Sequence, residues 1–167
     1  MERVYLIGFM ASGKSTVGKE LATRLGYEFY DLDTVIEQAE AMSIPHIFAL
    51  GETVFREKER QILQQTTEKS AENSVIAVGG GTPCFGNNLA YMQQHGTVVF
   101  LNVEEDVLEN RLKHTSAERP MLQQTDWHAL LHQRLPVYRE ADYTIHNNGT
   151  PQEAADKIIE TTKRERT

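Results

Sequence analysis

Short apolar runs alternate with longer mixed segments along this chain. The runs Val4–Ile7, Tyr27–Tyr30, Val75–Val78, Thr97–Leu101 and Tyr143–His146 have strand length and are rich in β-branched or aromatic residues. Several lack the apolar–polar alternation of a half-exposed strand, as parallel strands covered on both faces do. Between the runs, apolar positions recur at helical spacing, as in Val17, Leu21 and Leu25. Thr150-Pro151-Gln152-Glu153 combines an N-cap, a proline at the first helical position and a glutamate that closes a capping box. Asn102 and Glu105 mark another helix start. Strand–helix alternation predicts a three-layer α/β/α fold with a mostly parallel sheet. Ligands of such sheets sit outside the carboxyl ends of the strands, so the segments after each run carry the search.

No linker, repeat or low-complexity stretch divides the 167 residues, which predicts one domain over 1–167. Hydrophobic residues at 40% and charged residues at 25% are ordinary globular usage and argue against disorder. A formal net charge of -7 disfavours a nucleic-acid partner, although it leaves room for a local basic pocket. Cys84 is the only cysteine, so no intramolecular disulfide forms, as suits a reducing compartment. The apolar run Val4–Met10 is too short for a membrane span and lacks the flanks of a signal peptide. The expectation is a cytoplasmic protein with no membrane partner. It is expected to be a monomer, since no long apolar heptad pattern appears.

After the first run comes Gly8-Phe9-Met10-Ala11-Ser12-Gly13-Lys14-Ser15-Thr16, a match to GxxxxGK[ST] between a strand and an amphipathic helix. Such a loop turns backbone N–H groups toward phosphate oxygens, and the helix N-terminus adds positive potential. Lys14 then reaches the β- and γ-phosphates and the Ser15 hydroxyl can ligate Mg²⁺. This loop alone does not separate kinases from other nucleotide hydrolases. No NKxD guanine-specificity pattern follows it.

The second run ends in Asp31-Leu32-Asp33. Carboxylates two apart on extended backbone face the same side. One can hold Mg²⁺ through water while the other orients an acceptor hydroxyl and takes its proton. A polar helix start is the plainer explanation, because Thr34 and Glu37 fit a capping box of their own. The third run ends in Gly79-Gly80-Gly81, which close approach to a ligand would justify and a tight turn would also explain. Arg134 shares a helical face with Trp127, Leu130, Leu131 and Tyr138, where a charge needs a partner: an internal ion pair or a substrate carboxylate. Arg56 lies early in a helical stretch beginning at Glu52, among Glu52, Glu57 and Glu59, any of which can pair with it. The polar, aperiodic segment over about 113–125 has the size of a lid and carries Arg119-Pro120.

Together these residues resemble the shikimate kinase family over nearly the whole chain. The carriers are GFMASGKST, the Asp31-Leu32-Asp33 triplet, Gly51-Glu52-Thr53-Val54-Phe55-Arg56, Gly79-Gly80-Gly81, Arg119-Pro120 and the R-x-x-x-Y of Arg134 to Tyr138. The resemblance implies five parallel strands in the order 2-3-1-4-5. It implies an ATP-dependent kinase that phosphorylates the 3-hydroxyl of shikimate, on the route to chorismate and the aromatic amino acids. Lys14, Asp33 and Arg119 would be catalytic. Ala11, Ser12, Gly13, Lys14, Ser15, Thr16, Arg119 and Pro151 would hold ATP, and Ser15 and Asp31 would hold Mg²⁺. Asp33, Arg56, Gly79, Gly80, Gly81 and Arg134 would bind shikimate. Adenine would lie near Gly149 to Pro151, with no basic partner assigned there. Ala11 departs from the glycine many relatives carry, and its methyl group fits only if its φ is negative. A kinase for another hydroxy acid such as gluconate, or a non-catalytic ATP-binding regulatory module, are the alternatives.

Overall fold

The computed structural model describes residues 2–114 and 126–164. Five strands form one parallel sheet: β1 Val4–Ile7, β2 Glu28–Asp31, β3 Ser74–Ala77, β4 Thr97–Asn102 and β5 Tyr143–His146. Their spatial order is β2-β3-β1-β4-β5, the order expected from the resemblance. Each expected strand is present, β1 and β5 with the same bounds and the others shifted by one residue at one or both ends. The central strands β1 and β3 are fully buried, whereas β2 and β5 at the edges are partly open. That split accounts for the unbroken apolar runs at the centre and the mixed residues at the rims.

Alternation along the strands sends neighbouring side chains to opposite faces. Tyr5, Ile7, Ile76, Val98 and Phe100 enter one core. Val4, Leu6, Val75, Val99 and Leu101 enter the other. The first core is covered by α2 Leu32–Glu40, α3 Ile44–Ala49, α4 Glu52–Lys69, α5 Asn88–His95, α6 Glu105–Lys113 and α7 Trp127–Tyr138. The second is covered by α1 Lys14–Leu25 and α8 Pro151–Arg164, which pack on each other.

Helix starts agree with the sequence reading in one case and correct it in two. At α8 the capping box forms: Thr150 N–H donates to Glu153 Oε2 at 3.1 Å and Glu153 N–H donates to Thr150 Oγ1 at 3.2 Å. At α2, Thr34 is not the cap. Asp31 is, its Oδ1 accepting from Thr34 N–H at 3.3 Å, while Glu37 Oε2 accepts from Ile44 N–H at 2.9 Å and ties α2 to α3. α6 does begin at Glu105, as expected, but Asn102 is not its cap. It ends β4 and its carbonyl accepts from Asn147 N–H, and Glu104 is the N-cap. An acid at the end of a strand outcompetes a threonine three residues on because the helix begins as soon as the strand stops.

No helix among the described residues is long and apolar enough to cross a membrane. The expected lid over about 113–125 and its Arg119 lie outside the described residues, apart from Lys113 and His114.

Gly96 shows how tightly the central strands meet. A Cβ there would collide with the carbonyl oxygen of Arg3, the atom that accepts from Thr97 N–H where β1 and β4 join. Gly96→Ala is therefore expected to lower stability by about 1–3 kcal/mol, read as a fall in Tm, because backbone rather than a side chain must move. An unchanged Tm would contradict this packing.

Candidate active site

The segments that follow β1, β2 and β3, together with residues of α4, α7 and α8, line one cavity of about 900 Å³. Its wall includes Ala11, Gly13, Lys14, Ser15 and Thr16 from the loop after β1 and the start of α1. Asp31 and Asp33 enter from the end of β2, Gly79, Gly80 and Gly81 from beyond β3, Arg56 from α4, Arg134 from α7 and Pro151 from α8. The acids after β2 and the guanidinium of Arg134 thus share a single cavity. Ser12 lies beneath the loop, almost fully buried, with its N–H donating to Phe9 O at 3.1 Å.

The phosphate loop takes its shape from two residues with left-handed backbone. Gly13 has φ 91 and directly precedes α1. Ala11 has φ 61, so the expected negative φ is corrected. An L-residue there costs about 1–2 kcal/mol because Cβ crowds the following carbonyl. The loop's curvature demands this conformation, and the alanine accepts it. Lys14 Nζ donates to Gly8 O at 2.8 Å and Phe9 O at 3.0 Å, which holds the ammonium over the loop. Ser15 Oγ donates to Asp31 Oδ2, so the two residues assigned to Mg²⁺ touch. A hydroxyl and a carboxylate side by side are the hard oxygen donors that ion prefers. Among the described residues no group of three His, Cys, Asp or Glu side chains encloses a metal by itself.

Asp31 and Asp33 do not share a strand, as the extended-backbone argument assumed. Asp31 ends β2 and Asp33 stands in the first turn of α2, yet both line the cavity. Burial pushes the Asp33 carboxyl from the usual 3.8 up to about 6, the neighbouring Asp31 and Glu59 push the same way, and Lys14 opposes them. An acid poised this close to neutrality suits proton transfer.

The glycine triplet has a physical reason that sequence reading assigned to a ligand. A Cβ on Gly81 would stand 2.6 Å from Arg56 Nη2, one on Gly80 would stand 3.2 Å from Arg134 Nη1, and one on Gly79 would stand 3.2 Å from Asp33 Oδ1. The backbone is bare so that the protein's own charged groups can crowd against it. Tyr138 hydroxyl donates to Gly80 O at 2.6 Å and fixes the turn from below. Burial raises the pKa of that phenol, so it remains a donor.

The arginines are held differently. Arg56 Nη1 donates to Glu59 Oε1 at 3.0 Å, and its Cζ lies 4.0 Å from the Phe85 ring centre and 5.0 Å from that of Phe55. Its buried Nε lacks a hydrogen-bond partner among the described residues. Arg134 is 6% exposed and pairs with no carboxylate among the described residues. A desolvated guanidinium facing a cavity without an acid partner attracts an anion.

Glu59 and Glu52, two of the partners expected for Arg56, do pair with it, at 3.0 and 3.5 Å, whereas Arg111 and Asn147 bring contacts the sequence does not signal. Glu59 is 1% exposed, accepts from Arg56, and accepts from Thr82 Oγ1 at 2.8 Å. It had registered only as one of several possible partners for Arg56, since nothing in its spacing distinguishes it from Glu57. Arg111 on α6 lines the cavity near Gly149 and Pro151, where no basic residue was expected. Asn147 is buried beside the phosphate loop. Neither carries a motif. Cys84 is half-buried and burial pushes its thiol pKa up, so it is a poor nucleophile.

The buried acid has a cost that can be measured. Because the folded-state pKa of Asp33 lies above its unfolded value, its contribution to stability is greatest in acid. That contribution is lost as pH rises from about 4 through 6. Asp33→Asn is expected to abolish most turnover yet stabilise the fold at neutral pH by up to about 3 kcal/mol. Denaturant unfolding at pH 5 and 8 checks this. A variant less stable than wild type at pH 8 would contradict it.

Comparison with known proteins comes out consistently. The profile of the family described as shikimate kinase matches residues 10–163. A shikimate kinase of Thermodesulfovibrio yellowstonii is 41% identical over 165 residues, covering 95% of this chain and 94% of the relative. A crystal structure of shikimate kinase from Bacteroides thetaiotaomicron superposes with a TM-score of 0.88 at 35% identity, covering 97% of this chain and 98% of that one. The shikimate kinase of Acinetobacter baumannii, solved in complex with shikimate, has a TM-score of 0.88 at 36% identity, with 99% and 94% coverage. Sequence, fold and the convergence of the motif residues on one cavity agree: this chain belongs to the shikimate kinase family.

Proposed function

We propose that this chain transfers the γ-phosphoryl group of ATP to the 3-hydroxyl of shikimate, giving shikimate 3-phosphate and ADP. The observation that carries the reading is the meeting of a phosphate loop, a buried carboxylate with a raised pKa and two arginines in one cavity. Shikimate presents a carboxylate at one end and hydroxyls at the other. Arg56 and Arg134 clasp the carboxylate, and Asp33 receives the hydroxyl that attacks. Gly79, Gly80 and Gly81 form the floor between them. This division places the charge of the acceptor far from its nucleophile.

Asp33 Oδ accepts the hydrogen bond of the attacking hydroxyl and takes its proton as the new O–P bond forms and the bond to the β-phosphate oxygen breaks. Lys14 turns from its loop carbonyls to the phosphates and balances their charge. Ser15 and Asp31 hold Mg²⁺, which supplies further neutralisation of the phosphate oxygens when bound. Ala11, Gly13 and Thr16 cradle the phosphates with Lys14, and Ser12 supports the loop from beneath. Pro151 and the guanidinium of Arg111 flank the adenine, where a planar cation and an apolar ring suit a purine face. Arg119, outside the described residues, is assigned to the transferred charge. No covalent intermediate is required, so positioning and electrostatics supply the acceleration. Met42, Leu50 and Val54 are the exposed large hydrophobics among the described residues, which supports a monomer. The single cysteine suits a cytoplasmic setting.

Incubation with ATP, Mg²⁺ and shikimate should yield a phosphorylated shikimate by mass spectrometry, with gluconate and nucleoside monophosphates giving at most traces. ATP binding without any product would turn the reading toward a regulatory module. The kcat/KM for shikimate should also fall below about pH 6, close to tenfold per pH unit, as the Asp33 carboxylate is protonated. A flat profile between pH 5 and 8 would remove Asp33 from the role of base.

A further inference from the structure

The phosphate loop holds a non-glycine residue in left-handed backbone, and two side chains from distant elements grip it at that point. Arg111 Nη1 on α6 donates to the carbonyl of Ala11 at 3.2 Å. Asn147, just beyond β5, donates through Nδ2 to the next carbonyl, that of Ser12, at 2.7 Å. The two braces are themselves joined, since Arg111 Nη2 donates to Asn147 O at 3.0 Å. Asn147 is anchored in turn by its N–H to Asn102 O at 2.8 Å.

We infer that Asn147 and Arg111 are positioning residues that hold the strained turn at Ala11 in the shape that receives nucleotide phosphates. The inference rests on the reading that the loop around Lys14 binds those phosphates. Ala11 at φ 61 is an unfavourable conformation for any residue with a Cβ. Left alone, the turn would relax toward negative φ and its N–H groups would no longer converge. Within the loop one turn bond, Ser12 N–H to Phe9 O at 3.1 Å, spans Ala11 but leaves the carbonyls of Ala11 and Ser12 to other partners. Lys14 holds Gly8 O and Phe9 O and leaves them when it turns to a phosphate. Asn147 and Arg111 reach the carbonyls of Ala11 and Ser12 and have no need to move. Asn147 acts through its donor: its Oδ1 is buried with no partner among the described residues, and only Nδ2 is used. It also stands so close to Gly13 that a Cβ on that glycine would come within 2.7 Å of Nδ2, so it packs on the turn as well as bonding to it.

A glycine at position 11 would not need the brace, and this separates a positioning role from a merely structural one. ADP affinity is measured by calorimetry for wild type, Asn147→Ala, Ala11→Gly and the double variant. Asn147→Ala should weaken ADP binding about fivefold or more, roughly the worth of one buried hydrogen bond. It should raise the KM for ATP and leave the KM for shikimate within about twofold. In the Ala11→Gly background the same change should cost less than about twofold. Equal weakening in both backgrounds, or none in either, would overturn the inference. Should Asn147→Ala fail to fold, Asn147→Asp keeps the shape and removes the donor. It should weaken ADP binding at least as much, and unchanged affinity there would also overturn the inference. A wild-type protein that does not bind ADP would instead remove the nucleotide reading on which the inference rests.

Discussion

The bare backbone of Gly79, Gly80 and Gly81 is the constraint around which the acceptor side of the site is arranged. Arg56, Arg134 and Asp33 each approach within the space a single methyl group would fill. A side chain on Gly81 would displace the Arg56 guanidinium, and one on Gly80 or Gly79 would press Arg134 or Asp33 back by a few tenths of an ångström. The entropic penalty of three consecutive glycines is accepted in exchange for that crowding. Tyr138 from beneath and Glu59 from the side then hold the crowded parts in place. Glu59 serves twice, since it orients Arg56 and also raises the proton affinity of Asp33. Structure and acid–base chemistry are thereby supplied by the same buried carboxylate.

Charge in the cavity is balanced with a deliberate asymmetry. Asp31, Glu59 and Glu37 gather around Asp33 and raise its proton affinity, and Lys14 opposes them. Burial raises that affinity more than any neighbouring charge does. The aromatic rings of Phe48, Phe55 and Phe85 surround Arg56 beside its carboxylate partners Glu59 and Glu52 and add a weak attraction for the buried cation.

The fold was legible because its signals are local. Apolar runs of strand length, helical spacing after Lys14 and the Thr150–Glu153 box each need only neighbouring residues to be read. The motif residues were legible too, as the glycine loop and the acids after β2 stand at strand ends where such sheets bind ligands. What could not be read depends on distance in the chain. Asn147 meets Ser12 across 135 positions, and nothing around it signals that meeting. Arg111 carries no motif, and its contacts with Ala11 and Asn147 span 100 and 36 positions. The left-handed φ of Ala11 goes with a turn bond from Ser12 N–H to Phe9 O and with partners on α6 and beyond β5, and the distant ones are invisible in the sequence around it. Thr34 was mistaken for a cap because the motif was matched without knowing where the strand ended.

The phosphate loop ties the two cores together. α1 and α8 are rooted in the packing on one side of the sheet. Phe9, Met10 and Ala11 of the loop before α1 pack instead with α2, α4 and α7 on the other side, where the Phe9 ring centre lies 6.4 Å from that of Trp127. Asp33, Arg56 and Arg134 stand on those same helices. Any remodelling of that wall is therefore felt in the loop as well.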